Sequence, residues 1–361
     1  MSPKTFNPEM LILARESKGM SQSEVAGAVA VQQGTISKIE SGLLPPSPDL
    51  VSAFAHEFEF PEQFFFETDR VYGFNSTVFF HRKRQSISDR ILRKLHAQMN
   101  ISRMRVRKLK LSFDLKAQFR FQPMDPREYS GGVSAIARLV RQMWLLPPGP
   151  VRNLVGAIED AGGIVIDYDF GTKQADAISE WVADSPPIFL VNTNDEIPWD
   201  RRRLTLAHEL GHVIMHAVPN FPNPEMEEEA NEFAAEFLMP RKEIKPSLYS
   251  LTMAKLAELK RYWRVSMQAL IERARQLKTI TEYQRKLFYM NLNRNGRSRL
   301  HEPLEHEYAP ERPELYRRMV KTHLHELGYS VKEIATILFF GKEQAFIDEF
   351  LNSDGLRLVV A

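Results

Sequence analysis

The chain has 361 residues and no cysteine, and its 48 Lys and Arg nearly balance 46 Asp and Glu. Disulfides, thiolate catalysis and cysteine-based zinc or iron–sulfur sites are therefore excluded, so a bound metal must rest on His, Asp or Glu. The length predicts more than one domain, and no apolar run approaches the roughly 18 residues that cross a bilayer. With "MSPKTFNPEM" lacking the apolar stretch of a signal peptide, a cytoplasmic location and no membrane partner are expected.

Residues 1–70 read as short helices and hold 5 Lys/Arg against 10 Asp/Glu. A first helix, "PEMLILARESKG", ends near Gly19. Ser21 followed three residues later by Glu24 makes a capping box that opens a second helix, and "QQGTISKIES" forms a third that ends at Gly42. Residues 71–149 form a basic helical linker region. Its stretch 81–120 carries 13 Lys/Arg against Asp89 and Asp114. Three readings of that charge stay open: attraction for nucleic acid, a solvated helix face, or pairing with acidic surface of the domain that follows.

Residues 150–285 change pattern. "IVIDYDF", "AISEWV" and "PPIFLVN" predict strands of a small sheet, with "PPIFLVN" as a candidate edge. Two helices, "RRRLTLAHELGHVIMH" and "MEEEANEFAAEFLMP", follow. Residues 286–361 predict a helical C-terminal region of unknown role, in which Ser330 and Glu333 make another capping box. The sequence reads as free of internal repeats. The fold class expected is α+β multidomain.

Within "TLAHELGHVIMH", His208 and His212 stand four apart and so share one helix face, where their imidazoles can meet one ion. Glu209 lies about 100° round the helix from His208, placed to take a proton from water without being a ligand. "HELGY" at 325–329 repeats the first letters but puts Tyr329 where the second histidine belongs, so His323 and His325 read as helix-surface residues. Met215 and Val218 exclude the metzincin pattern. His216 continues the same face, either as support for the site or as a core histidine.

In the next helix Ala230, Phe233, Ala234, Phe237 and Leu238 form one buried stripe. Extending it one turn toward the N-terminus selects Glu227, while Glu225, Glu228 and Glu229 fall mainly off that face. A carboxylate on a buried face needs a partner, which makes Glu227 the candidate third metal ligand. Asn231, one turn on, is the candidate hydrogen-bonding support.

These two helices together resemble the ImmA/IrrE family of zinc metallopeptidases. The resemblance implies a gluzincin-like fold, Zn2+ held by His208, His212 and Glu227, and Glu209 as general base. It also implies cleavage of a repressor-type protein substrate. "MSQSEVAGAVAVQQGTISKIESG", residues 20–42, resembles the Xre/Cro-type helix-turn-helix. That match implies that Gln33, Ser37 and Lys38 face bases of double-stranded operator DNA and that Gln22 meets a phosphate. Gly34 offers no side chain, and the acidic balance of residues 1–70 leaves dimerisation or protein recognition as the competing role. The function expected is a DNA-binding regulator with a zinc-dependent endopeptidase domain, acting in a stress, phage or toxin–antitoxin type response. Its partners would be DNA, a protein substrate and a second copy of the chain. The alternative is an Xre-type regulator whose zinc site is structural or ligand-sensing and does not turn over.

Overall fold

The computed structural model describes residues 5–73, 87–183, 185–216, 225–293, 302–304 and 310–352. The fold is α+β and multidomain, mostly helical with one three-stranded sheet. The described residues form two compact units: one runs to Leu115 and resumes at Leu315, and the other comprises Lys116–Glu314. Among the described residues no helix is long and apolar enough to cross a membrane.

The first unit opens with four short helices: α1 (Pro8–Ser17), α2 (Gln22–Ala28), α3 (Gln33–Glu40) and α4 (Pro48–Phe58). Asn7, Ser21 and Ser47 each accept from a main-chain N–H in the first turn of α1, α2 and α4, and the Ser21–Glu24 capping box is present. Met10, Val25, Ile36, Ile39, Phe54 and Phe64 fill the centre with no more than 0% exposure. Across it Arg15 clasps Glu40 in a two-point ion pair of 2.6 and 3.1 Å.

Helix α5 (Asp89–Lys110) is the basic stretch. It buries Ala97, Ile101 and Met104 in the same core. Its charges are largely accounted for inside the unit. Lys108 meets Glu67 at 2.7 Å, Arg107 meets Asp69 at 2.6 Å, and Arg103 lies 4.3 Å over the ring of Tyr72. Arg105 donates to the carbonyl of Leu338 at 2.7 Å. Arg82, Lys83 and Arg84 fall outside the described residues.

Helices Leu315–His325, Val331–Ile337 and Glu343–Phe350 complete this unit. Two expectations are corrected here. His323 is 3% exposed and its Nδ1 lies 2.7 Å from the Met319 carbonyl, so it is a core residue, because Leu315, Met319 and His323 recur every four residues on the packed face. The chain also does contain a repeat. Gly19-Met-Ser21-x-x-Glu24-Val-Ala26 returns as Gly328-Tyr-Ser330-x-x-Glu333-Ile-Ala335, with the same capping box in each copy.

The second unit carries α6 (Gly132–Met143) and α7 (Leu154–Asp160) ahead of strands β1 (Ile164–Tyr168), β2 (Ala177–Glu180) and β3 (Ile188–Asn192). β1 pairs parallel with β3 and β2 pairs antiparallel with it, so β3 is the central strand and not an edge. Every residue of "IFLVN" is buried, which is the pattern of a strand covered on both faces. The sheet supports α8 (Trp199–Met215), and α9 (Met226–Leu238) packs on α8. Short α10 (Arg241–Ile244) leads to α11 (Met253–Trp263), α12 (Met267–Gln276) and α13 (Glu282–Asn293).

Candidate metal centre

The closeness of α8 and α9 originates at a glycine. A Cβ on Gly211 would lie 3.1 Å from the Cβ and Cδ1 of Phe233, so the bare glycine lets the helices approach closely there. Phe233 and Phe237 are both fully buried and stack at 5.5 Å, fixing the face that α9 turns to its neighbour. Two turns before Ala234, on that same face, stands Glu227.

His208, His212 and Glu227 come together. Their candidate ligand atoms lie within 4.8 Å of one another, and no other such group of three occurs among the described residues. The His208 and His212 Nε2 atoms are 3.0 Å apart, and each lies 3.5 Å from a different Glu227 oxygen. Zinc bonds of about 2.0–2.1 Å in a tetrahedron set ligand atoms about 3.3 Å apart, so this triangle has the size of one tetrahedral face. Two nitrogens and a carboxylate are donors zinc accepts, and the residues present fit the ion. Burial opposes the charge on Glu227, but hydrogen bonding and attraction from His208 and His212 outweigh it. The carboxyl is held well below the usual carboxylate range.

Each histidine is anchored through its other nitrogen. His208 Nδ1 lies 3.0 Å from Asn231 Oδ1, and His212 Nδ1 lies 3.0 Å from His216 Nδ1. His216 Nε2 in turn lies 2.9 Å from Glu229 Oε2. Burial first, then the neighbouring His212 and His208, push His216 down to about 3, so it is a neutral ring at ordinary pH. A neutral imidazole accepts at one nitrogen and donates at the other, which suits this chain of contacts. The Glu229 link was not legible in the sequence, where Glu229 falls off the core stripe of its helix. The stripe reports which side of α9 is buried, not that the end of α8 passes beside its first turn.

Glu209 is 4% exposed, on the side of α8 toward the sheet. Ser179 of β2 donates its hydroxyl to Glu209 Oε2 at 2.8 Å. No spacing rule links residues 30 apart on different elements, so sequence reasoning missed Ser179. Beside the site, Leu204 (one turn before His208) and Asn231 line a cavity of about 460 Å³ that also reaches Arg201, Met239, Gln276 and Tyr289.

In the first unit Gln33 and Lys38 are exposed on α3, and Ser37 is half-buried. Gln22 donates to Glu40 at 2.7 Å and accepts from Gln33 at 2.8 Å. The amide at the head of α2 thereby orients the one at the head of α3.

Residues 159–275, which contain the whole triangle with Glu209, Asn231, His216 and Ser179, match the family model described as the IrrE N-terminal-like domain. That stretch is similar to an IrrE N-terminal-like domain. Residues 11–65 match the family model described as Helix-turn-helix and take in Gln22, Gln33, Ser37 and Lys38. The order is thus a DNA-binding type of module followed by a peptidase-like domain. No curated protein matches the chain as a relative. The IrrE-like region begins within α7 and ends within α12, so it spans the sheet and both helices of the triangle.

Proposed function

We propose that the IrrE-like domain is a zinc-dependent endopeptidase and that the helix-turn-helix brings it to duplex DNA, near a repressor-type protein substrate. The observation that carries this reading is a buried carboxylate, Glu209, set beside a donor triangle it does not belong to. A site that only stabilises the fold has no use for such a group.

His208, His212 and Glu227 would hold the zinc ion, which when bound would supply Lewis acidity toward water and a peptide carbonyl. Glu209 takes the proton released as water attacks and delivers it to the leaving amine. Ser179 donates to Oε2 of that carboxylate and so holds its orientation. Asn231 and His216 hold the two imidazoles with Nε2 turned inward. On DNA, Gln33, Ser37 and Lys38 meet base edges from α3, while Gln22 gives its second amide N–H to a phosphate.

The test uses the full chain loaded with zinc, incubated with candidate repressors and with itself, and read by mass spectrometry. Cleavage is expected from the native protein. Glu209→Gln is expected to keep its zinc and lose about 100- to 10,000-fold in rate. Equal cleavage by both proteins, or intact substrates together with unchanged promoter output in Glu209→Gln cells, would favour a regulator whose metal site does not turn over.

A further inference from the structure

The repeat in the first unit is structural as well as sequential. In each copy a helix is followed by a glycine in the left-handed region, Gly19 (φ 67°) or Gly328 (φ 73°), two residues before the capping serine. Each capping box has the same two bonds. Glu24 N–H donates to Ser21 Oγ at 3.2 Å and Glu333 N–H to Ser330 Oγ at 3.2 Å, and the serine N–H returns to the glutamate at 2.6 and 2.8 Å. Each then runs a helix of 7 residues. Four and five residues past the serine stand Val25 and Ala26, or Ile334 and Ala335, all buried.

The turns match bond for bond. Nine residues after the serine comes a non-glycine residue at positive φ, Ala30 (55°) or Phe339 (63°). Its N–H bonds to Gly27 or Thr336, and the next N–H bonds to Ala26 at 2.9 Å or Ala335 at 2.8 Å. A helix of 8 residues follows in both, starting one residue later in the second copy. Its inner face is Ile36 and Ile39 in the first and Phe346 and Phe350 in the second. Its first turn is exposed in both: Gln33 and Gly34, against Glu343 and Gln344.

We propose that residues 330–350 are a second helix-turn-helix, and that Glu343 and Gln344 read base edges of duplex DNA as the second half of a composite site. The first turn of the later helix is the part of this motif that enters the major groove. Gln344 carries an amide of the kind that pairs with adenine, and Glu343 a carboxylate that accepts from the cytosine amino group. Gln344 is held in place by Asp348, which accepts from its Nε2 at 2.9 Å. The second motif is seated on the segment that follows α4. Gly341 N–H donates to the Glu59 carbonyl at 2.8 Å, Lys342 pairs with the Glu59 carboxylate at 2.6 Å, and Phe339 packs edge-on to Phe64 at 5.1 Å. A Cβ on Gly341 would lie 2.6 Å from Glu59 main-chain atoms, so this seat is close.

Residues 315–352 hold Arg317, Arg318, Lys321, Lys332 and Lys342 against Glu326, Glu333, Glu343, Asp348 and Glu349, a net charge of zero. Phosphate attraction is therefore not what this motif adds. It adds base selectivity, so removing it changes the preferred sequence and leaves the salt dependence of binding in place.

The experiment is selection from a random duplex pool with the full chain, followed by affinity measurements on the selected site at several salt concentrations. The native protein is expected to select two unlike sequence blocks. E343A/Q344A should erase one block and weaken binding to the selected site about tenfold or more without altering the salt slope. Q33A/S37A should erase the other. A single block, or an inverted repeat of one block, that needs Gln33 and Ser37 but is untouched by E343A/Q344A overturns the second motif and leaves the first standing. A pool from which nothing is selected overturns both.

Discussion

His212 is held at both ring nitrogens, and the two ends do different work. Nε2 faces His208 and Glu227, while Nδ1 faces a neutral His216 that is itself tied to Glu229. If His216 donates from Nε2 to the Glu229 carboxylate, its Nδ1 must accept, and His212 is left with its proton on Nδ1 and a lone pair on Nε2. That is the tautomer a metal needs. His216→Phe keeps an aromatic ring in the core but removes the acceptor, and is expected to weaken zinc binding about 10- to 100-fold in competition with a chelator. Asn231→Ala should act in the same direction through His208. Unchanged affinity in His216→Phe would reduce His216 to packing. At this scale the meeting of His208, His212 and Glu227 was legible, because periodicity and burial cost act within one helix. Ser179 and Glu229 were not, because each meets the site from a direction that only the packing of separate elements creates.

The triangle exists because α8 and α9 approach closely, and the approach is set by Gly211 against Phe233. Gly211→Ala adds a methyl group at 3.1 Å from a fully buried ring, so the helix pair must give by a few tenths of an ångström. Alanine is the better helix former by about 0.8–1.0 kcal/mol, so propensity alone predicts a more stable protein. Overpacking costs about 1–3 kcal/mol and should win. The expected outcome is a lower denaturation midpoint together with weaker zinc binding, since α9 carries Glu227. A midpoint that rises would show that the helices part without strain. Element type was read well from the sequence wherever a cap or a stripe marked it, as at Ser21, Ser330 and "MEEEANEFAAEFLMP". Strand order was not. "PPIFLVN" was read as a candidate edge, yet the crossover from β1 through β2 to β3 places it between the other two, an arrangement no local pattern encodes. The repeat was legible in Gly-x-Ser-x-x-Glu-x-Ala, but eight residues in 361 stand out only once both copies fold alike.

At the scale of the molecule, the chain's last hundred residues do not act as one tail. Residues from Leu315 onward belong to the first unit, whereas Glu302 and Glu311 complete the second. Glu302 accepts from the N–H groups of Met267 and Gln268 at the start of α12 and pairs with Lys260 at 3.0 Å. Glu311 accepts from Leu154 and Val155 at the start of α7 and pairs with Arg203. Lys260 and Arg203 are both fully buried, and Arg203 lies on α8, the helix of His208 and His212. Each glutamate thus satisfies a helix N-terminus and a buried cation together, which is where a carboxylate is worth most. Removing one partner of a buried ion pair costs about 3–5 kcal/mol. Glu311→Gln keeps the side chain's shape and an acceptor oxygen but removes the carboxylate charge beside the Arg203 guanidinium, which also donates to the carbonyls of Arg264 and Val151. Lys260 retains Asp200 at 2.7 Å after Glu302→Gln, so that change should cost less. The order expected in urea unfolding of the full chain is native, then Glu302→Gln, then Glu311→Gln, with Glu311→Gln lower by about 3 kcal/mol or more. Stopping the chain after Asn293 should exceed both, because it removes both carboxylates at once. Loss of peptidase or zinc binding in such a truncation then reports an incomplete fold. If Glu311→Gln and the native protein unfold at the same midpoint, the Glu311 carboxylate does not stabilise the second unit through Arg203.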